Sequence, residues 1–159
     1  MKKLSFLLFA FISISFLSCS SDDDSTTPEE ENPDTSLYLR FTLNGIEYDF
    51  EPETLTSQRT LILGNETVNE VYSRISLWIP NEPSLGTHEI SDDFPSDANL
   101  TTLYSADVWI GEEVIDASSG TLVITELSDD YVKGTFSFTG TNEEGTTATV
   151  TNGSFRSNR

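Results

Sequence analysis

Three groups of residues in this chain have types and spacings that could do chemistry. Cys19 is the only cysteine, and it sits where the apolar run ending Phe16-Leu17-Ser18 gives way to Ser20-Ser21-Asp22-Asp23-Asp24. The segment Ser91-Asp92-Asp93-Phe94-Pro95-Ser96-Asp97 gathers Asp92, Asp93 and Asp97 with two hydroxyls, an oxygen-rich composition that suits Ca²⁺. It lacks the spacing of an EF-hand loop and its glycine, so a plain solvated loop is the competing reading. Trp78 and Trp109 fall opposite the main apolar sets of their segments. If that face meets solvent, the indoles can stack on sugar rings, with Tyr72 and Arg74 supplying polar contacts. In a closed barrel or a second layer the same indoles would be core.

Other chemistries lack their parts. A hydrolytic triad or an imidazole base would have to use His88, the single histidine, and no nucleophile motif accompanies it. An exposed strand histidine is the expectation there. A zinc site of several His or Cys ligands cannot be assembled from one of each. There is no glycine-rich phosphate loop. Carboxylates are plentiful, yet scattered acids on a highly charged surface do not make the facing pair of a glycosidase. No enzyme and no resident cofactor are expected, calcium at the aspartate loop apart.

Cys19 has a better explanation as an anchor. Lys2 and Lys3 precede an apolar run from Leu4 to Leu17, and a small residue stands before the cysteine, the three parts of a secretory signal. The run is too short for a bilayer span, which needs roughly 20 residues. Phe16-Leu17-Ser18-Cys19 resembles a bacterial lipobox, which implies cleavage before a lipidated Cys19 and residues 1–18 as signal peptide. Several acyl chains at such a cysteine hold stably where a single chain does not. Ser21, Asp22, Asp23 and Asp24 resemble the lipoprotein export signal of Bacteroidota, which implies the outer face of the outer membrane.

From Ser20 to Ser36 the chain carries seven acids, two prolines and no large apolar residue. Low hydrophobicity and dense like charge cannot offset the entropy of ordering, so residues 19–36 are expected to form a disordered acidic tether. Of the 27 acids and 8 bases of the whole chain, 20 acids and 6 bases fall beyond it, a net charge of −14. Such a domain repels phosphate backbones, and nucleic acid is excluded as a partner on that ground. Glycans, basic protein surfaces and cations remain.

The elements that must position these residues are strands. Leu37 to Leu43 and Ile46 to Phe50 alternate around Asn44-Gly45, the strongest short-range hairpin signal. Leu37, Leu39, Phe41, Leu43, Ile46, Tyr48 and Phe50 are assigned to one inward face. Residues 71–79 and 104–110 alternate as half-buried strands. Thr121 to Leu127 reads as a central strand, followed by an inward set at Val132, Gly134, Phe136 and Phe138. Ala148 and Val150 share a face, but Phe155 falls on the opposite parity. An extra residue at Asn152-Gly153 restores its phase, which predicts a glycine bulge. Weaker strands cover 59–63 and 86–90. The fold is therefore expected to be all-β, a single antiparallel β-sandwich or β-barrel of about eight or nine strands over 37–159.

Phe41-Thr-Leu-Asn-Gly45, Leu77-Trp-Ile-Pro80, Leu85-Gly-Thr87, Ser119-Gly-Thr-Leu122, Gly134-Thr-Phe-Ser-Phe138 and Thr151-Asn-Gly-Ser-Phe155 together resemble an uncharacterised family of Bacteroidota surface lipoproteins. That resemblance implies a fold built on glycine turns and core phenylalanines, and carries no catalytic residues. The expected function is a non-enzymatic, lipid-anchored surface protein that binds a glycan or an envelope protein. A carrier of a small apolar ligand in a calycin-like barrel, or a structural subunit of a surface complex, is the alternative.

Overall fold

A computed structural model describes residues 35–159; the leader, Cys19, the Ser21 to Asp24 segment and the acidic stretch up to residue 34 lie outside the described residues. All regular structure among those residues is strand. In chain order these are β1 (Tyr38–Leu43), β2 (Ile46–Phe50), β3 (Glu53–Thr56), β4 (Thr60–Val68), β5 (Val71–Ile79), β6 (Gly86–Ile90), β7 (Ser105–Ile110), β8 (Glu113–Asp116), β9 (Ser119–Leu127), β10 (Tyr131–Thr141) and β11 (Thr147–Asn158).

The strands form two antiparallel sheets. One has six strands in the order β2-β1-β11-β10-β9-β6, the other five in the order β3-β4-β5-β7-β8. Their inner faces meet over Leu39, Ile62, Ile75, Leu77, Leu122, Ile124 and Phe155, all essentially without exposure. Each such side chain contributes about 1.5–3 kcal/mol by leaving water. The arrangement is a sandwich rather than a closed barrel, and it leaves four strands as edges. Across one margin the Thr54 and Ser157 hydroxyls bond at 2.5 Å, tying β3 to β11. Elsewhere Gly140 on β10 faces β8 so closely that a Cβ would meet the Asp116 carbonyl oxygen. Glycine is what lets the sheets approach there.

The hairpin forms as its sequence dictates. Asn44 and Gly45 take φ of 49° and 87°, and Leu43 faces Ile46 across the turn. The bulge is also present, since β11 places an extra residue against both β1 and β10. Its left-handed residue is Asn152, φ 53°, rather than glycine. Gly153 instead points inward, where a Cβ would lie 2.5 Å from Phe136 Cδ2. Phe155 is thereby returned to the core.

Two expectations are corrected. There are eleven strands because β3 and β8 are present, each four residues long. Both are edges, and short polar edge strands carry too few alternations to show a period. Ile46, assigned to the inward face, is 53% exposed. It stands at the turn end of the edge strand β2 and has a strand neighbour on one side only.

Candidate functional site

The outer face of the five-stranded sheet carries the residues that alternation set opposite the core. On β5 these are Tyr72, Arg74, Ser76 and Trp78, and on β7 they are Ser105, Asp107 and Trp109, with Asp116 on β8 beyond them. Trp78 stands between Leu61 and Ser105 on its two neighbouring strands. Asp107 lies one diagonal step away, within reach of a long side chain. The Trp78 indole Nε1–H accordingly donates to Asp107 Oδ2 at 3.2 Å. Asp107 Oδ1 is buried, and Ser76 is the residue directly opposite on β5.

Burial pushes the Asp107 carboxyl above its ordinary value, against hydrogen bonds from Ser76 and Trp78 and the charge of Arg74, and the neighbouring Asp116 pushes the same way. Asp116 is the residue directly opposite Asp107 in the β7–β8 ladder. Two acids face one another across a rung, an arrangement that costs stability.

Arg59, just before β4, is 4% exposed. Its guanidinium donates to the main-chain oxygens of Trp78 at 3.0 Å and Leu103 at 2.8 Å, and to Ser105 Oγ at 3.2 Å. Its carbon lies 5.8 Å from the Trp78 ring centroid, and burial lowers its proton affinity. Arg59 therefore joins the Trp78 strand to the start of β7 and to the segment that precedes it. That segment, residues 91–103, is held by Asn99: its Oδ1 accepts from the Ser96 N–H at 2.7 Å and its Nδ2 donates to the Phe94 carbonyl at 3.1 Å.

Together these parts enclose an open concavity of about 550 Å³, bordered by Arg59, Trp78, Asp92, Phe94, Asp107 and Asp116. That volume is within the range of about 300–1,000 Å³ usual for small-molecule sites. Phe94 projects at its rim, 90% exposed.

A family model described as Domain of unknown function (DUF6252) matches residues 53–157. The chain belongs to that family. The matched span runs from β3 into β11 and holds every residue of the concavity, while the Phe41 to Gly45 segment precedes it. No curated protein and no solved structure matches the chain.

Within this DUF6252 domain the residues singled out by sequence divide. Trp78 and Trp109 share the outer face, as do Tyr72 and Arg74, and none belongs to the central core. Only Trp78 borders the concavity. Trp109 sits four residues further along the β5–β7 ladder, about 13 Å away at strand spacing, with the Arg74 guanidinium carbon 5.3 Å from its ring centroid. Asp92 and Asp93 line the concavity and Asp97 does not. Among the described residues no three His, Cys, Asp or Glu side chains converge to hold a metal ion. His88 is half-buried rather than exposed: its ring stacks on Tyr104 at 4.0 Å, and its Nε2 lies 2.8 Å from the Ser84 carbonyl oxygen.

Arg59, Asp107 and Asp116 are site residues that sequence reading missed. Asp107 had a signal, because it shares the parity of Trp109. Arg59 had none, since it reads only as the polar first residue of the weak strand expected over 59–63.

Proposed function

We propose that this protein is a non-enzymatic Bacteroidota lipoprotein, anchored through Cys19 and displayed on the outer membrane surface by Ser21 to Asp24, whose sandwich binds a glycan beside Trp78. The observation that carries the reading is the Trp78 indole, oriented by Asp107 at the side of an open concavity. A fixed aromatic surface next to hydrogen-bonding acids is the combination that sugar rings use, one face stacking while the hydroxyls find partners. Side chains fill the space between the sheets, which favours this surface site over a calycin-like carrier.

Trp78→Ala is expected to abolish retardation on a retained polysaccharide in affinity electrophoresis, while Trp109→Ala, outside the concavity, weakens it less. A wild-type protein that is not retarded by any of a broad polysaccharide panel overturns the reading. For the address, Cys19→Ala should move the protein from the membrane to the soluble fraction. Replacing Asp22, Asp23 and Asp24 by alanine should protect it from protease added to intact cells, and unchanged protease access removes the export claim.

The 90% exposed Phe94 favours a second reading, a protein partner in the envelope, because exposed aromatics anchor such interfaces. Loss of a cross-linked envelope partner on Phe94→Ala, with polysaccharide retardation unchanged, would support it.

A further inference from the structure

Hydroxyls and the Gln58 amide line the concavity, but its charge is almost all negative. Asp92, Asp93, Asp107 and Asp116 all border it, and Arg59 is the one basic residue that does. Ionised carboxylates only accept hydrogen bonds. Arg59 does not offset them in a ligand's favour, because its terminal nitrogens already donate to Trp78, Leu103 and Ser105. Arg74, the nearest further cation along β5, donates its Nε–H to Ser76 Oγ at 3.1 Å and rests against Trp109.

One feature of the fold is unfavourable by itself: Asp107 and Asp116 are opposed like charges on adjacent strands. Its complement is a positive charge that brings hydrogen-bond donors. A neutral hydroxyl supplies a donor and no charge, and an acetamido group supplies one N–H donor and no charge. An ammonium supplies three donors, no acceptor and the missing charge. The indole beside it favours cations as well, since its face is the best of the aromatic surfaces for that contact.

We infer that the concavity selects an amine-bearing sugar, a hexosamine unit whose nitrogen is a free ammonium, with Asp107 and Asp116 receiving the ammonium and Trp78 supporting the ring. The inference rests on the glycan reading above. It narrows that reading from any sugar to a cationic one.

The test is titration calorimetry on the full-length protein in detergent solution, with three β1,4-linked trisaccharides: glucosamine, its fully N-acetylated counterpart, and glucose. The glucosamine trisaccharide should bind about tenfold or more tightly than the other two, as expected when a desolvated charge pair is made or lost. Asp116→Asn, an exposed position that leaves the core untouched, and Asp107→Asn should each remove that preference. Asp129→Asn with Asp130→Asn, in the β9–β10 turn, should leave it unchanged. Equal binding of all three sugars with loss on Trp78→Ala overturns the amine assignment while the glycan reading stands. A preference that survives both single aspartate replacements overturns it too, in favour of the diffuse negative charge of the domain. So does tighter binding of a lysine tripeptide through Trp78 and Asp107, which points to a protein partner. Absence of binding by every trisaccharide overturns it outright, and the polysaccharide panel then judges the glycan reading separately.

Discussion

The outer faces of the two sheets solve the same problem in opposite ways. On the six-stranded sheet, charges meet their complements: Lys133 Nζ reaches Glu126 Oε1 at 2.6 Å and Arg40 Nε reaches Asp49 Oδ2 at 3.0 Å. The Tyr131 hydroxyl donates to the other Glu126 oxygen at 3.1 Å, and the Arg156 guanidinium carbon lies 3.8 Å from the Tyr131 ring centroid. On the five-stranded sheet an acid faces an acid across a rung, and burial and the facing Asp116 both raise the Asp107 carboxyl. A surface that only needs to be wet can settle its charges internally. A surface that keeps like charges opposed gains from a complement outside the chain, which is why the concavity rather than the paired face carries the functional proposal.

The sharpest test of the contrast is removal of a cation from each face. Arg59→Ala should cost about 1–3 kcal/mol in urea unfolding, because it leaves the Trp78 and Leu103 carbonyls without their buried donor. Of similar size is Gly140→Ala, expected to cost about 1–3 kcal/mol by overpacking. Its Cβ drives into the Asp116 carbonyl, so amide shifts in β8 should move along with the loss of stability. Asp107→Asn should go the other way, raising stability by about 0.2–1 kcal/mol as the opposed charges disappear, while ligand binding falls. Arg40→Ala, on the paired and exposed face, should change stability by no more than about 0.5 kcal/mol. An Arg40→Ala effect as large as that of Arg59→Ala would erase the distinction between the faces.

The two faces should also respond to pH with opposite signs. Asp107 has its proton affinity raised by burial above the ordinary 3.8, so the folded state holds that proton more tightly than the unfolded chain. Its contribution to stability is lost as pH rises from that ordinary value through the folded one. Glu126 has its value lowered from 4.5, first by the Lys133 hydrogen bond and then by Tyr131. Its contribution is present above that value and lost as pH falls through the folded one. Urea midpoints measured from about pH 3 to about pH 7 should therefore lose their downward component with rising pH in Asp107→Asn, and their upward component in Glu126→Gln. The same change in both variants would contradict the opposed shifts.

Most of the fold was legible because alternation is a local property. The Asn44-Gly45 hairpin, the strands around Ile75, Val108 and Phe136, and the bulge that rephases Phe155 all follow from residues within a few positions of one another. Ile46, β3 and β8 escaped because edge position depends on which strands lie beside them. The site was half legible for the same reason. Parity along β5 and β7 put Trp78 and Trp109 on the face opposite the core, but parity does not say which indole has a wall raised beside it.

Period and composition act along the chain, and they suffice to make the domain all-β, its surface acidic, and one side of each long strand inward. They do not reach the closure of the sheets into a sandwich, the burial of Arg59, or the meeting of Asp107 with Asp116 beside Trp78 under the 91–103 segment. Those facts arise in three dimensions, from register between strands and from bonds between residues dozens of positions apart. Cross-strand register is a property of the pair rather than of either strand.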